Sequence, residues 1–393
     1  MINNLKNKIF YKIIYILIFI ILTVFMTSCI PIVELNKRGL IQSIGIDYNN
    51  NIFEVSVQMF NSTSSTDQKK LEASSSNAIV TSKGATIMEA MKRTSLKQDR
   101  QIYYKVTNTI ILGRAIFEDK KIFKQTIDFL NQTYMSSPSV YIAMADKKAS
   151  DIISTEIAKS DLPSNFIQDI LKNVENQGYT QKIFLSNIVT SLNSFNTSTS
   201  IPIIKKQKSK DKEKKDELVI KGIGVISDGK LSGEIKSNQV KFIRLLDNNK
   251  AQLSFNLLSK KYGRCEFNII KKKSDIKTKI INNVPNLYIY LNIESVLMEN
   301  NQGYNIRNLS EQDIINLEKI LNYYFRENIS KLLNKILKNY KADLLYFTND
   351  IYRSNYNYLK QNNYNYTDVL SNITVSIKIR THISRSFMEE SKS

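Results

Sequence analysis

The chain has 393 residues, 42% of them hydrophobic, and its 56 Lys and Arg against 36 Asp and Glu give a formal net charge of +20. That apolar content can bury ordinary cores, the length points to two or more domains, and two cysteines (Cys29, Cys265) with one histidine (His382) exclude a multi-ligand zinc site and a disulfide framework. The lysines are spread among Asn, Ile and Tyr without dense arginine or interleaved aromatics, which reads as a basic solvated surface suited to an anionic membrane or polymer, with no nucleic-acid partner.

Residues 1–28 carry Lys6, Lys8 and Lys12, no acid, and the 14-residue apolar run Ile13–Met26. As a helix that run reaches about 21 Å, short of the ~30 Å hydrocarbon core of a bilayer. A basic leader, a short apolar stretch and small residues after it make a secretory signal. Met26-Thr27-Ser28-Cys29 resembles the bacterial lipobox, whose cysteine is diacylated on sulfur and becomes the mature N-terminus; the usual Leu is Met here and the usual Gly or Ala is Ser. The alternative is an uncleaved signal anchor with an incidental Cys29. Each buried methylene contributes about 0.8 kcal/mol, so one acyl chain binds marginally and two or more hold stably.

Beyond Cys29, alternation on both sides of Asn49-Asn50-Asn51 predicts a β-hairpin, with Phe53, Val55, Val57 and Met59 on its buried face. Residues 61–77 read as a polar loop. A helix follows through Ile87, Met88, Met91 and Thr94, then a strand from Tyr104 to Leu112. A helix over about 116–131 leads to a strand at Val140–Ala145, with further helical stretches near 147–158, 162–174 and 181–192. Strands alternating with helices predict a mixed α/β domain over 29–204. Residues 205–217 hold seven lysines, four acids and no apolar side chain, which predicts a solvated charged linker.

A second domain, 218–393, is predicted to be α+β, with a possible subdivision near 270–285. It opens on a hairpin turning at Ser227-Asp228-Gly229. Strand-like stretches over 252–270 and an alternating strand at Leu287–Ile293 come next. A long helix spans about Ser310 to Tyr340, with Ser310 and Asp313 as an N-cap pair and Ile314, Leu317, Leu321, Tyr324, Leu332 and Ile336 as its apolar stripe. A final edge or hairpin strand carries Ile373, Val375, Ile377 and Ile379. The fold class is therefore α+β and multi-domain, with mixed or antiparallel sheets packed against helices.

No catalytic constellation emerges. Gly222-Ile223-Gly224 lacks a third glycine, with Ser227 in its place, and runs into a hairpin where a dinucleotide loop would open a helix. Phosphate-loop, GxSxG and HExxH motifs are absent. His382 continues the last strand as a surface or structural imidazole, and Cys265 reads as a small core residue. The expected site inventory is lipidation at Cys29, with no catalytic residue, cofactor or metal. An uptake-system solute-binding lipoprotein, with two similar βαβ lobes, and an envelope enzyme using unpaired carboxylates remain as rivals.

The lipobox with Glu34-Leu35-Asn36, Ser43-Ile44-Gly45-Ile46-Asp47, Thr81-Ser82-Lys83-Gly84-Ala85-Thr86, Glu89-Ala90, Tyr103-Tyr104 and Ile110-Ile111-Leu112-Gly113-Arg114 resembles the Ger(x)C family, the lipoprotein C subunits of bacterial spore germinant receptors. The likeness continues through Lys221-Gly222-Ile223-Gly224-Val225-Ile226, Leu231-Ser232-Gly233 and Ala342-Asp343-Leu344-Leu345. The chain departs from the family at Ile30-Pro31, where Trp-Asp is usual, and at Glu234, where an aromatic or apolar residue is common. A glycine usual near the end of the last strand is also missing after Arg380. The resemblance implies a non-enzymatic subunit of several α+β domains on the outer face of the inner spore membrane. It also implies assembly with two integral membrane subunits, one of them permease-like.

Overall fold

The computed structural model describes residues 10, 12–17, 38–60, 78–134, 139–155, 163–181, 183–194, 198–209, 216–302, 309–363 and 365–385. Cys29 and the expected loop 61–77 lie outside the described residues. No helix among the described residues is long and apolar enough to cross a membrane.

β1 (Arg38–Asn49) and β2 (Ile52–Phe60) form the expected hairpin. Asn50 and Asn51 take φ of 50° and 62°, the left-handed pair that a tight primed turn requires and asparagine tolerates. β3 (Ala78–Gly84) pairs with β2, and α1 (Ile87–Ser95) follows it. Thr86 Oγ1 accepts from the Glu89 amide at 3.1 Å while the Glu89 carboxylate accepts from the Ala85 amide at 2.8 Å, a reciprocal helix cap.

Of the strand expected over 104–112 only β5 (Thr109–Leu112) is strand; 104–108 form a loop, and a short β4 (Gln101–Tyr103) precedes it. Opposite the gap, β1 has a register shift between Ile41 and Ser43. There the Asn108 amide donates to the Gln42 carbonyl at 3.0 Å and Thr107 Oγ1 to the Ile41 carbonyl at 3.2 Å. The bulge re-aims the backbone and a loop fills the break. Similarly, the helix read over 116–131 is a 3-10 turn, Arg114–Phe117, followed by α2 (Lys120–Tyr134). Asp119 restarts it by accepting from the amides of Lys121 and Ile122 at 2.7 and 3.1 Å.

β6 (Tyr141–Ala145), α3 (Ala149–Ile153), α4 (Pro163–Asn176), α5 (Leu185–Leu192), β7 (Thr199–Gln207), β8 (Glu217–Ser227) and β9 (Lys230–Lys236) complete the first unit. Its sheet runs β3-β2-β1-β5-β6-β7-β8-β9, with β4 also on β1. β1, β5, β6 and β7 are mutually parallel, and the outer pairs are antiparallel. β5 is buried at every position because helices cover both faces of this parallel centre.

The charged segment 205–217 departs from its expected role as a linker. Lys205, Lys206 and Gln207 of β7 pair with Val219, Leu218 and Glu217 of β8, so its described ends are strand residues paired within one sheet. The side chains of Lys205, Lys206 and Gln207 are exposed, so pairing there needs no apolar residue from β7 and leaves no alternation to read.

The second unit holds α6 (Ser237–Leu246), β10 (Leu253–Ser259), β11 (Gly263–Ile281), β12 (Val284–Asn300), α7 (Glu311–Asn334), α8 (Phe347–Ser354), α9 (Tyr356–Gln361), α10 (Tyr366–Asn372) and β13 (Thr374–Ile383). No boundary falls at 270–285, because β11 runs on to an Asn282–Asn283 turn and returns as β12. The sheet order is β10-β11-β12-β13, with β13 an edge strand parallel to β12. Ser310 caps α7 as its spacing predicts, its Oγ accepting from the Asp313 amide at 3.1 Å. The helix does not run regularly to Tyr340, because Lys335–Asn339 widen into a π turn.

Three cores hold the molecule together. One lies on the α1, α2 and α5 face of the first sheet and another on the α3 and α4 face. The third fills the second unit and takes in Ile223, Val225 and Ile235 from β8 and β9. β8 contributes to all three, through Leu218, Ile223, Val225 and Ile226.

Candidate functional site

The polar residues of the ordered motifs form two joints, one between β1 and α3 and one where the first sheet meets the end of α7 and the turn after it. Asp47 ends the Ser43–Asp47 motif on β1 and is 8% exposed. Its carboxylate accepts from the amides of Ala149 and Ser150 at 2.7 and 2.9 Å, satisfying the first turn of α3. Burial pushes the carboxyl up, opposed by these backbone hydrogen bonds. A side chain at Gly113 would collide with this carboxylate, and a Cβ at Gly45 would lie 2.9 Å from Ile153 Cγ1. Both glycines are therefore spacers for the Asp47–α3 joint.

Arg114, directly after Gly113, pairs with Glu234 on β9 and approaches Asp146 at 4.0 Å. Lys221 on β8 reaches Asp146 Oδ1 at 2.7 Å and Glu234 Oε2 at 2.8 Å. Pairing passes from Ile204↔Ile220 to Ile203↔Gly222, leaving Lys221 as a bulge residue whose side chain turns to the two acids. Gly222, at φ 147°, permits this, because any Cβ there would strike the Ile235 carbonyl. Burial works to raise the Glu234 carboxyl and lower the Lys221 amine. Their mutual hydrogen bonds, with Arg114 and Asp146, outweigh it and move both the opposite way. Arg114 and Lys221 with Asp146 and Glu234 form one ion-pair network, to which Glu118 adds a 3.7 Å contact with Arg114.

The Glu234 backbone carries the contact onward. Its carbonyl accepts from Tyr340 Oη at 3.0 Å and Lys335 Nζ at 3.2 Å. Gly233 leaves the space that the Tyr340 ring fills. Ser227 Oγ donates to the Lys341 carbonyl at 2.6 Å. Asp343, fully buried, accepts from the Leu345 amide at 3.0 Å and from the Thr348 amide and hydroxyl at 2.8 and 2.7 Å, while its own amide donates to Ser198 Oγ at 3.1 Å. Burial raises the Asp343 carboxyl to about 6.

These contacts act as joints with their polar atoms turned onto one another, and the arrangement serves to hold elements in place. The sequence marks Glu234 as a departure and places Arg114 and Lys221 in motifs, but nothing in it links them to one another or to Asp146, because Arg114 and Glu234 stand 120 positions apart. Cys265 is buried, receives a hydrogen bond from Asn300 Nδ2 at 3.0 Å, and its thiol is pushed up by burial. His382 stands exposed on β13 with Nδ1 3.2 Å from Glu318. Among the described residues, no three His, Cys, Asp or Glu side chains are grouped to hold a metal ion. The lipidation residue Cys29 lies outside the described residues.

Residues 31–206 match the family model for the spore germination protein N-terminal domain, and residues 221–387 match that for the spore germination B3/GerAC-like C-terminal region. The chain is 25% identical over 281 residues to spore germination protein B3 of Bacillus subtilis (strain 168), covering 69% of this chain and 71% of that protein. Spore germination protein KC of the same organism is 22% identical over 288 residues, covering 69% of each. The crystal structure of the GerBC protein superposes with a TM-score of 0.56 at 17% identity, over 86% of this chain and 96% of that one, a likeness of fold.

Proposed function

This chain belongs to the Ger(x)C family of spore germination receptor C subunits, and we propose that it works as a lipid-anchored subunit of a nutrient germinant receptor, acting by protein–protein assembly. In this reading Cys29 is diacylated, the leader 1–28 is removed, and the folded body sits on the outer face of the inner spore membrane beside two integral membrane subunits, one permease-like. The supporting observation is the match of both family regions, in order, from residue 31 to residue 387. Tethering confines the body to a thin layer beside the bilayer, which raises its effective concentration for partners and lets weak interfaces be occupied. The motif polar groups described above are consumed in internal joints, as suits a scaffold. The two sheets differ in strand number and order, which speaks against the paired similar lobes of a solute-binding lipoprotein.

Replacing Cys29 with Ala is the direct test. The expected outcome is loss of the protein from the spore membrane fraction together with a weakened germination response to nutrient. Full membrane partition and a normal response in that variant would overturn the tethering.

A further inference from the structure

Nine residue steps separate Cys29 from Arg38, the first residue of β1, so at full extension the start of that strand lies within about 32 Å of the anchoring sulfur. The strand itself is 12 residues long, roughly 40 Å, so its far end lies beyond the tether's reach when the strand stands upright. What surrounds the leading end therefore matters.

β3 runs from the level of Ile41 to that of Tyr48, and the segment through α1 brings the chain back to β4, which pairs in parallel with Arg38–Leu40. There Leu96, just past α1, is 85% exposed, more than any other large apolar side chain among the described residues. Val106 is 42% exposed, and the Arg38 guanidinium lies 5.1 Å from the centre of the Tyr103 ring. Residues 92–106 hold five Lys and Arg (Lys92, Arg93, Lys97, Arg100, Lys105) and one acid, Asp99. Of these cations Lys92, Lys97 and Lys105 are exposed, whereas Arg93 pairs with Glu89 at 2.7 Å and Arg100 is half-buried. Exposed apolar side chains and an aromatic with lysines along the same segment suit the two layers of an anionic bilayer surface. The apolar tips enter the acyl boundary while the cations meet phosphates.

We propose that this end of the first sheet, centred on Leu96 and the Arg38–Tyr103 stack, rests on the membrane and sets the orientation of the body there. The proposal relies on lipidation of Cys29. A chain without tryptophan offers a clean probe. Leu96→Trp in the full-length lipidated protein, reconstituted on vesicles of brominated phosphatidylglycerol and phosphatidylcholine, is expected to show blue-shifted and quenched emission. Leu258→Trp, at a site 76% exposed on β10 of the second sheet, is expected to stay unquenched. Lys92→Glu with Lys105→Glu should relieve the quenching while the lipidated protein still floats with the vesicles. Flotation with an unquenched Trp at 96 would overturn the membrane contact and leave the anchor standing. So would a Trp at 96 that is shielded only after receptor membrane subunits are added, which assigns the patch to protein. Failure to float would remove the tether, and the inference with it.

Discussion

Asp343 shows what a single family-motif residue contributes. Its carboxylate satisfies two backbone amides and a hydroxyl at the start of α8, in complete burial. Asp343→Ala leaves those donors without an acceptor, and about 2–4 kcal/mol of stability should be lost in urea denaturation. The raised carboxyl has its own signature. Below the ordinary carboxylate range Asp343 is protonated both folded and unfolded. As pH rises towards about 6 the unfolded chain releases its proton first, so the native state binds more protons and stability falls. Glu234 runs the other way. Its depressed carboxyl adds stability above the ordinary carboxylate range, and that contribution is lost as pH falls through the folded value. Denaturation midpoints measured between pH 4 and pH 7 should therefore lose an acid-side gain in Asp343→Asn that Glu234→Gln retains. Glu234→Gln itself should cost about 1–2 kcal/mol near neutral pH.

Elements were legible in the sequence wherever one face met one core. The alternation of β13 and the cap at Ser310 are local patterns, and the structure has them where the spacing predicts, whereas β2 buries Ser56 and Gln58 on its other face too. The Asn50–Asn51 and Asp228–Gly229 turns also carry their own chemistry, because few residues tolerate positive φ. Breaks imposed by a neighbour were not legible. The gap between β4 and β5 answers a bulge in β1, and the π turn after α7 puts Tyr340 over Gly233. Lys221 carries the same lesson, since its motif glycine serves a bulge and not a phosphate. Replacing Gly222 by Ala forces a Cβ against the Ile235 carbonyl at a φ that side chains avoid, so about 1–3 kcal/mol of stability should go. If the ion pairs depend on the bulge, the variant should also lose part of the coupling between Lys221 and Glu234 in a double-mutant cycle.

At the scale of the molecule, composition marks the charged segment as a separator, and the two family matches also part there, at 206 and 221. The strands on either side of it are nevertheless hydrogen-bonded through nine residue pairs, Thr199–Gln207 against Glu217–Ile226. β8 then places side chains in all three cores, and Glu234, Ser227 and Ser198 bond to the turn that follows α7. Parting the chain within the charged segment exposes the β7 edge, strips Leu218 and Ile226 from the first unit's cores and unpairs Asp343 from Ser198. Neither half retains a complete set of partners. The whole protein should therefore unfold in one calorimetric transition. Residues 30–212 and 213–393 made separately should fail to give cooperative melts, whereas their co-expression should restore a soluble complex that does. Two independent transitions, or a fragment melting on its own near the temperature of the intact chain, would show that the shared strand does not couple the halves.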